Sequence, residues 1–258
     1  MKNKSLVIIL SVLAFIVLLV ILSSTIFCLK TVEVSFYSNT INLTDKESEI
    51  IESGKFKYNA SIFFTNKNKY KKNIEEANPY IKVINIETNF PNKLTINCIE
   101  RNELFAIKSY ENNTLNGYMI LDDELKVLKN DISYENNHNN AILVNIENEF
   151  NNRVLAGQTF NSLYNSLLKK LAIELLAYND NVLILKANFN EITLNYSGKN
   201  DVQIKMRSGT EIILKDAENR FTEKFMLALS TYNQKPDKTK GKITAFENNV
   251  GLIEAYYT

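Results

Sequence analysis

The stretch 79–101, PYIKVINIETNFPNKLTINCIER, constrains the fold most, because it holds two alternating strands and the turn between them in one short run. Ile84 and Ile86 alternate with Asn85 and Glu87, and Leu94, Ile96 and Cys98 alternate with Thr95 and Asn97. A period of two sends successive side chains to opposite faces, so each strand is predicted to bury one face and wet the other. Phe90 must be extended because Pro91 follows it. Pro91-Asn92 suits the middle of a tight turn, with proline presetting φ and asparagine tolerating unusual backbone.

Upstream, residues 6–29 contain no charge and are mostly Leu, Ile and Val. As a helix they would measure roughly 36 Å, enough for a bilayer core. The apolar run is too long for a signal-peptide core and no A-x-A-like site closes it, so a retained span is expected. Lys2, Lys4 and the amino group precede it and only Lys30 follows before Glu33, so residues 1–5 are expected in the cytoplasm and everything after Lys30 outside.

Beyond the span, Val32, Val34 and Phe36 alternate as a strand. Thr44-Asp45-Lys46-Glu47 reads as a capping box, with Ile50 and Ile51 in a short helix that Gly54 ends. A second helix over 69–76 stops before Asn78-Pro79 and leads into the hairpin. From Tyr118 onward short strands are predicted at 118–121, 125–128, 142–146, 183–186, 192–196, 202–206, 210–214, 242–246 and 250–256. Helices are predicted at 163–178, on a Leu163, Leu167, Leu171, Leu175 stripe, and at 218–232.

Pro79-Tyr80-Ile81, Phe90-Pro91-Asn92 and Glu100-Arg101, in a strand-helix-helix-strand-strand order behind a span, resemble the POTRA domain of the FtsQ/DivIB family of bacterial division proteins. The second half is similar to that family's β domain in Leu121-Asp122-Asp123-Glu124-Leu125, the Ser208-Gly209 turn, the 221–225 helix containing Glu223-Lys224, and the terminal strand pair. The resemblance departs at Asn102-Glu103-Leu104, which lacks the proline common after Glu-Arg. It implies an α+β chain with a cytoplasmic tail (1–5), a single transmembrane helix (6–29), a POTRA domain (30–102) and a mostly antiparallel β domain covered by two helices (103–258).

Chemistry has little to work with. A hydrolase needs an activated nucleophile, and the only histidine, His138, lies in Asn136-Asn137-His138-Asn139-Asn140. Cys28 and Cys98 are too far apart in setting to pair or to hold a metal, and Asp122-Asp123 fits a turn better than a carboxylate pair. A net charge of +1 with scattered Lys and Arg argues against nucleic acid. No cofactor is expected.

Contact is therefore the expected mode, through strand addition at an exposed sheet edge. The candidate edge residues are Lys242, Ile243, Thr244, Ala245 and Phe246, together with Val250, Gly251, Leu252, Ile253, Glu254, Ala255 and Tyr256, and the last of these runs, 250–256, has no proline or lysine to block pairing. The resemblance implies a non-enzymatic bitopic scaffold at the division septum. Its partners would be FtsL and FtsB/DivIC-type bitopic proteins and, indirectly, FtsW/FtsI-type septal synthases. The competing class is a membrane-anchored envelope enzyme or a transport-associated POTRA protein.

Overall fold

The computed structural model describes residues 2–37, 46–133, 141–147 and 152–258, and these form two compact units, Met1–Arg101 and Asn102–Thr258. The Thr44-Asp45 half of the expected capping box and the Asn-rich run holding His138 lie outside the described residues.

The first unit begins with helix α1 (Lys2–Thr25), whose described apolar side chains between Val7 and Ile21 are exposed. Among the described residues no helix is long and apolar enough to cross a membrane. The continuous run of described side chains in α1, residues 7–21, accounts for about 22 Å of helix against a hydrocarbon core of about 30 Å.

After α1 come β1 (Thr31–Phe36), α2 (Glu47–Gly54), one 3-10 turn at Ile62–Phe64, α3 (Lys67–Ala77), β2 (Ile81–Asn89) and β3 (Lys93–Glu100). The sheet order is β1-β3-β2, with β1 parallel and β2 antiparallel to the central β3. Ile50, Tyr70 and Ile74 from the two helices close over Val32, Ile81, Val83, Leu94, Ile96 and Cys98. Each such buried aliphatic side chain contributes about 1.5–3 kcal/mol.

Two local expectations are corrected. Ile84 and Ile86 do not share a face: a β-bulge falls between Val83, opposite Cys98, and Asn85, opposite Asn97. The extra residue is Ile84, which turns outward while Val83 and Ile86 both face the core. Gly54 does not stop α2 by adopting left-handed backbone. Lys55 does so, at φ 52°, and Gly54 is small because a Cβ there would lie 2.2 Å from the Phe56 ring.

Burial, and secondarily Glu75, push the Cys98 thiol up to about 12. The thiol therefore stays protonated in the fold after the unfolded chain has ionised, and this group's contribution to stability falls as pH rises from its ordinary value of 9 toward 12. In a Cys28→Ser background, Cys98 is expected to resist a thiol reagent at pH 8 until the chain is unfolded; stoichiometric labelling of the native protein would contradict this.

The second unit runs β4 (Phe105–Glu111), β5 (Thr114–Leu121), β6 (Val127–Ile132), β7 (Ile142–Ile146), α4 (Asn165–Tyr178), α5 (Val182–Asn188), β8 (Phe189–Tyr196), β9 (Asp201–Met206), β10 (Glu211–Leu214), α6 (Phe221–Asn233), β11 (Lys242–Glu247) and β12 (Ile253–Tyr257). They form one nine-stranded sheet in the order β12-β11-β10-β9-β8-β7-β4-β5-β6. Most pairings are antiparallel, but β4-β7, β7-β8 and β10-β11 are parallel. Leu168, Leu171 and Leu175 of α4 and Phe221, Phe225 and Leu229 of α6 join the strands' inward side chains in one core. The opposite face carries polar pairs, Lys205 donating to Glu191 at 3.0 Å and Gln203 to Glu211 at 3.2 Å, and a small apolar cluster of Ala106, Ile120 and Ala141.

Here too the structure departs from the periodicity. Residues 183–186 belong to helix α5, not to a strand. A short continuous apolar run carries no period, and the Asn181 carboxamide caps it by accepting from the Leu183 amide at 2.9 Å. The helix makes a third cover where two were expected. Leu163 is 93% exposed and lies before α4, whose buried stripe starts at Leu167. Strand β4 carries no clean alternation, because Phe105, Ala106 and Ile107 are buried in succession.

Candidate functional site

The two ends of the long sheet differ. At the β6 end, a following segment covers the edge: the Val127 amide donates to Gln158 at 2.9 Å, Gly157 donates back to Val127 at 2.8 Å, and Ala156 donates to the Asn130 carboxamide at 3.0 Å. At the other end β12 is outermost, bonded only to β11 among the described strands.

This ordering separates the candidate residues into three groups. Lys242, Ile243, Thr244, Ala245 and Phe246 are not an edge: β11 is parallel to β10 on one side and antiparallel to β12 on the other, so both of its hydrogen-bonding rims are used. Ile243 and Ala245 are fully buried. Glu254, Ala255 and Tyr256 lie in β12 behind Ile253. Val250, Gly251 and Leu252 belong to the turn before it rather than to a strand.

The register of β12 decides which backbone groups are available. Lys242 and Thr258 exchange both amide bonds at 2.8 Å, which marks a hydrogen-bonded pair. Such pairs alternate in an antiparallel ladder, so Thr244-Tyr256 and Phe246-Glu254 point their amides at each other. The N–H and C=O groups of Ile253, Ala255 and Tyr257 consequently point away from the sheet. Three consecutive outward positions, with Glu254 as the only charge in the strand, form a strand-accepting rim about five residues long.

The turn that presents this rim is tightly organised. The Asn248 carboxamide oxygen accepts from the amides of Val250 at 3.0 Å and Leu252 at 2.9 Å, and Gly251 supplies the φ of 81° that the turn needs. Arg220, at the start of α6, donates to the Gly251 carbonyl at 2.6 Å and pairs with Glu223 and Glu247. Its hydrogen bond holds the Glu223 carboxyl below the ordinary range. Val250 and Leu252 are left exposed at 78% and 61%, an apolar tip at one end of the rim. Phe246 and Tyr256 meet edge to face at 5.6 Å on the open side of the sheet.

α6 is itself anchored by a lysine. Lys224 is buried and donates to the carbonyls of Lys215 at 3.0 Å and Asp216 at 2.9 Å, just past the end of β10. Burial lowers its pKa, and the carbonyls satisfy its protons. Asp122, likewise buried, accepts from the Glu124 and Lys126 amides at 3.0 and 2.7 Å and so serves the β5-β6 turn. Among the described residues, no group of three or more His, Cys, Asp and Glu side chains is placed to hold a metal.

At the far end of β12, Tyr257 donates to the Lys240 carbonyl at 2.9 Å across Gly241. Gly241 has φ 97°, and a Cβ there would lie 2.1 Å from the tyrosine hydroxyl. Gly241→Ala is expected to swing Tyr257 off its seat and cost about 1–2 kcal/mol from the unfavourable φ. Amide exchange at Thr258 should accelerate, and unchanged exchange would mean that Gly241 does not set the strand.

The first unit matches a known domain. Residues 29–101 match the POTRA domain of the FtsQ type. The chain is 41% identical over 88 residues, a third of each chain, to the cell division protein DivIB of Clostridium acetobutylicum. It is 28% identical over 199 residues to the cell division protein DivIB of Clostridium tetani, covering 76% of this chain and 68% of that protein. The chain thus spans about one third of the first relative.

Proposed function

We propose, from the match to the FtsQ-type POTRA domain and the similarity to two DivIB cell division proteins, that this chain is a non-enzymatic, single-span scaffold of the bacterial division machinery of the FtsQ/DivIB family. α1 is the span, with Lys2 and Lys4 on the cytoplasmic side, residues 30–102 are the POTRA domain and 103–258 the β domain, both outside the cell membrane at the septum. The β domain binds FtsL and FtsB/DivIC-type partners, and through them the protein helps control septal peptidoglycan synthesis by FtsW/FtsI-type synthases.

The observation that supports this reading most directly is the rim of β12. Its outward groups at Ile253, Ala255 and Tyr257 would be satisfied by one added strand, while Val250 and Leu252 offer apolar contact beside it. Main-chain pairing supplies affinity and the neighbouring side chains select the partner.

The test is crosslinked capture from detergent-solubilised cells with the full chain and with a chain ending at Asn249, which removes β12 but keeps β11 and its core residues. Recovery of FtsL and FtsB/DivIC-type proteins by the full chain alone is expected. Recovery by both would move the contact away from β12, and recovery by neither would sink the scaffold role.

A further inference from the structure

Four apolar side chains, Ile26, Phe63, Phe64 and Phe90, sit exposed around a half-buried Phe27 where the chain leaves α1, and the strand-addition reading does not use them. Phe27, Phe63 and Phe90 form one ring cluster, with centroids 5.3 Å apart for Phe27-Phe63, 5.4 Å for Phe63-Phe90 and 6.2 Å for Phe27-Phe90. Phe63 is 54%, Phe90 61% and the adjoining Phe64 89% exposed, and Ile26 completes the set. An aromatic cluster left open to water marks a contact surface.

The backbone ties this cluster to the end of α1. The Ile62 amide donates to the Phe27 carbonyl at 2.8 Å, Leu29 to Ala60 at 2.9 Å, and Lys30 to Asn92 at 2.8 Å. The 3-10 turn and the Phe90-Pro91-Asn92 turn are thereby stitched to residues 27–30. Phe27 is two residues beyond Thr25, at most about 7 Å of chain. That reach matches the headgroup layer, about 5–7 Å on each side of the hydrocarbon core, where aromatic rings settle.

Charge points the same way. Phe64 also lines a groove with Lys55, Lys57 and Lys69, and no acidic residue lines it. Apolar rings beside unopposed lysines suit a surface of anionic lipid.

We propose that the Phe27-Phe63-Phe90 cluster, with Phe64 and the lysine groove, seats the first extracytoplasmic unit in the anionic bilayer interface and so fixes its height and orientation at the membrane. The inference rests on α1 being the span. It gives the Phe90-Pro91-Asn92 turn a role beyond closing the hairpin.

The chain has no tryptophan, so a single introduced one reports its own surroundings. Full-length Phe64→Trp, Leu13→Trp and Tyr37→Trp chains would be reconstituted in phosphatidylethanolamine/phosphatidylglycerol vesicles, with and without brominated acyl chains. Tyr37 is 65% exposed and follows β1, about 20 Å from Lys30 along the strand. Leu13→Trp and Phe64→Trp are each expected to lose about half their emission to bromine, and Tyr37→Trp almost none. Replacing phosphatidylglycerol by phosphatidylcholine should weaken the Phe64→Trp quenching, and equal quenching would overturn the role of the lysines. Quenching of Leu13→Trp without Phe64→Trp would overturn the seat and leave the span standing. An unquenched Leu13→Trp would remove the span and the proposal with it.

Discussion

Ile253→Pro is expected to weaken partner capture by more than about 100-fold while leaving the β domain folded. The Ile253 amide points away from β11, so proline removes no bond of the native ladder. It does remove one donor from the rim and sets a ring where an incoming strand would lie. Leaving the incoming strand's carbonyl without its donor costs about 1–3 kcal/mol before the clash with the ring is added, and each 1.4 kcal/mol is tenfold in affinity. Tyr256→Pro is the contrasting variant, because that amide faces Thr244 and its loss should detach β12 from the sheet. Titration of the full chain with the extracytoplasmic segment of an FtsB/DivIC-type partner, beside thermal unfolding, separates the cases. Unaltered affinity for Ile253→Pro would remove strand addition at this edge.

Arg101→Ala is expected to destabilise the POTRA domain by about 3 kcal/mol, lowering its midpoint by more than about 10 °C. Arg101 is almost wholly buried, with its guanidinium 3.4 Å from Glu75 of α3 and its Nε donating to the Ile81 carbonyl at 3.4 Å. Glu75 in turn accepts from the Val83 amide at 2.9 Å, and the Arg101 amide donates to Tyr80 at 2.8 Å. One side chain thus ties α3, the start of β2 and the end of β3. Removing it leaves the Glu75 carboxylate, at 12% exposure, with only the half-exposed Lys71 at 3.8 Å as a cation. Arg101→Lys should recover little, since one ammonium cannot reproduce the fork. Removing both charges, as Arg101→Met with Glu75→Gln, should cost less than the sum of the single changes. Additive losses would mean that the pair does not act as a unit.

Much of this architecture was written in local pattern. Leu94, Ile96 and Cys98 are buried as their alternation requires, and the Pro-Tyr-Ile and Glu-Arg elements meet through the Arg101-Tyr80 and Arg101-Ile81 bonds. Patterning failed where a short apolar segment has no period, as in α5, or where one inserted residue resets the phase, as at Ile84.

Elements that depend on neighbours in the chain were legible in the order of residues: the apolar amino-terminal run, the strand-helix-helix-strand-strand order, the turns at Asn92, Gly209 and Asn248, and two β segments near the end. Which of those two is an edge depends on long-range pairing. β11 reaches β10 in parallel by way of α6, so its second neighbour lies roughly thirty residues away along the chain, beyond any local periodicity. That long-range pairing places β11 inside the sheet, burying Ile243, Thr244 and Ala245, and leaves Ile253, Ala255 and Tyr257 with outward amides.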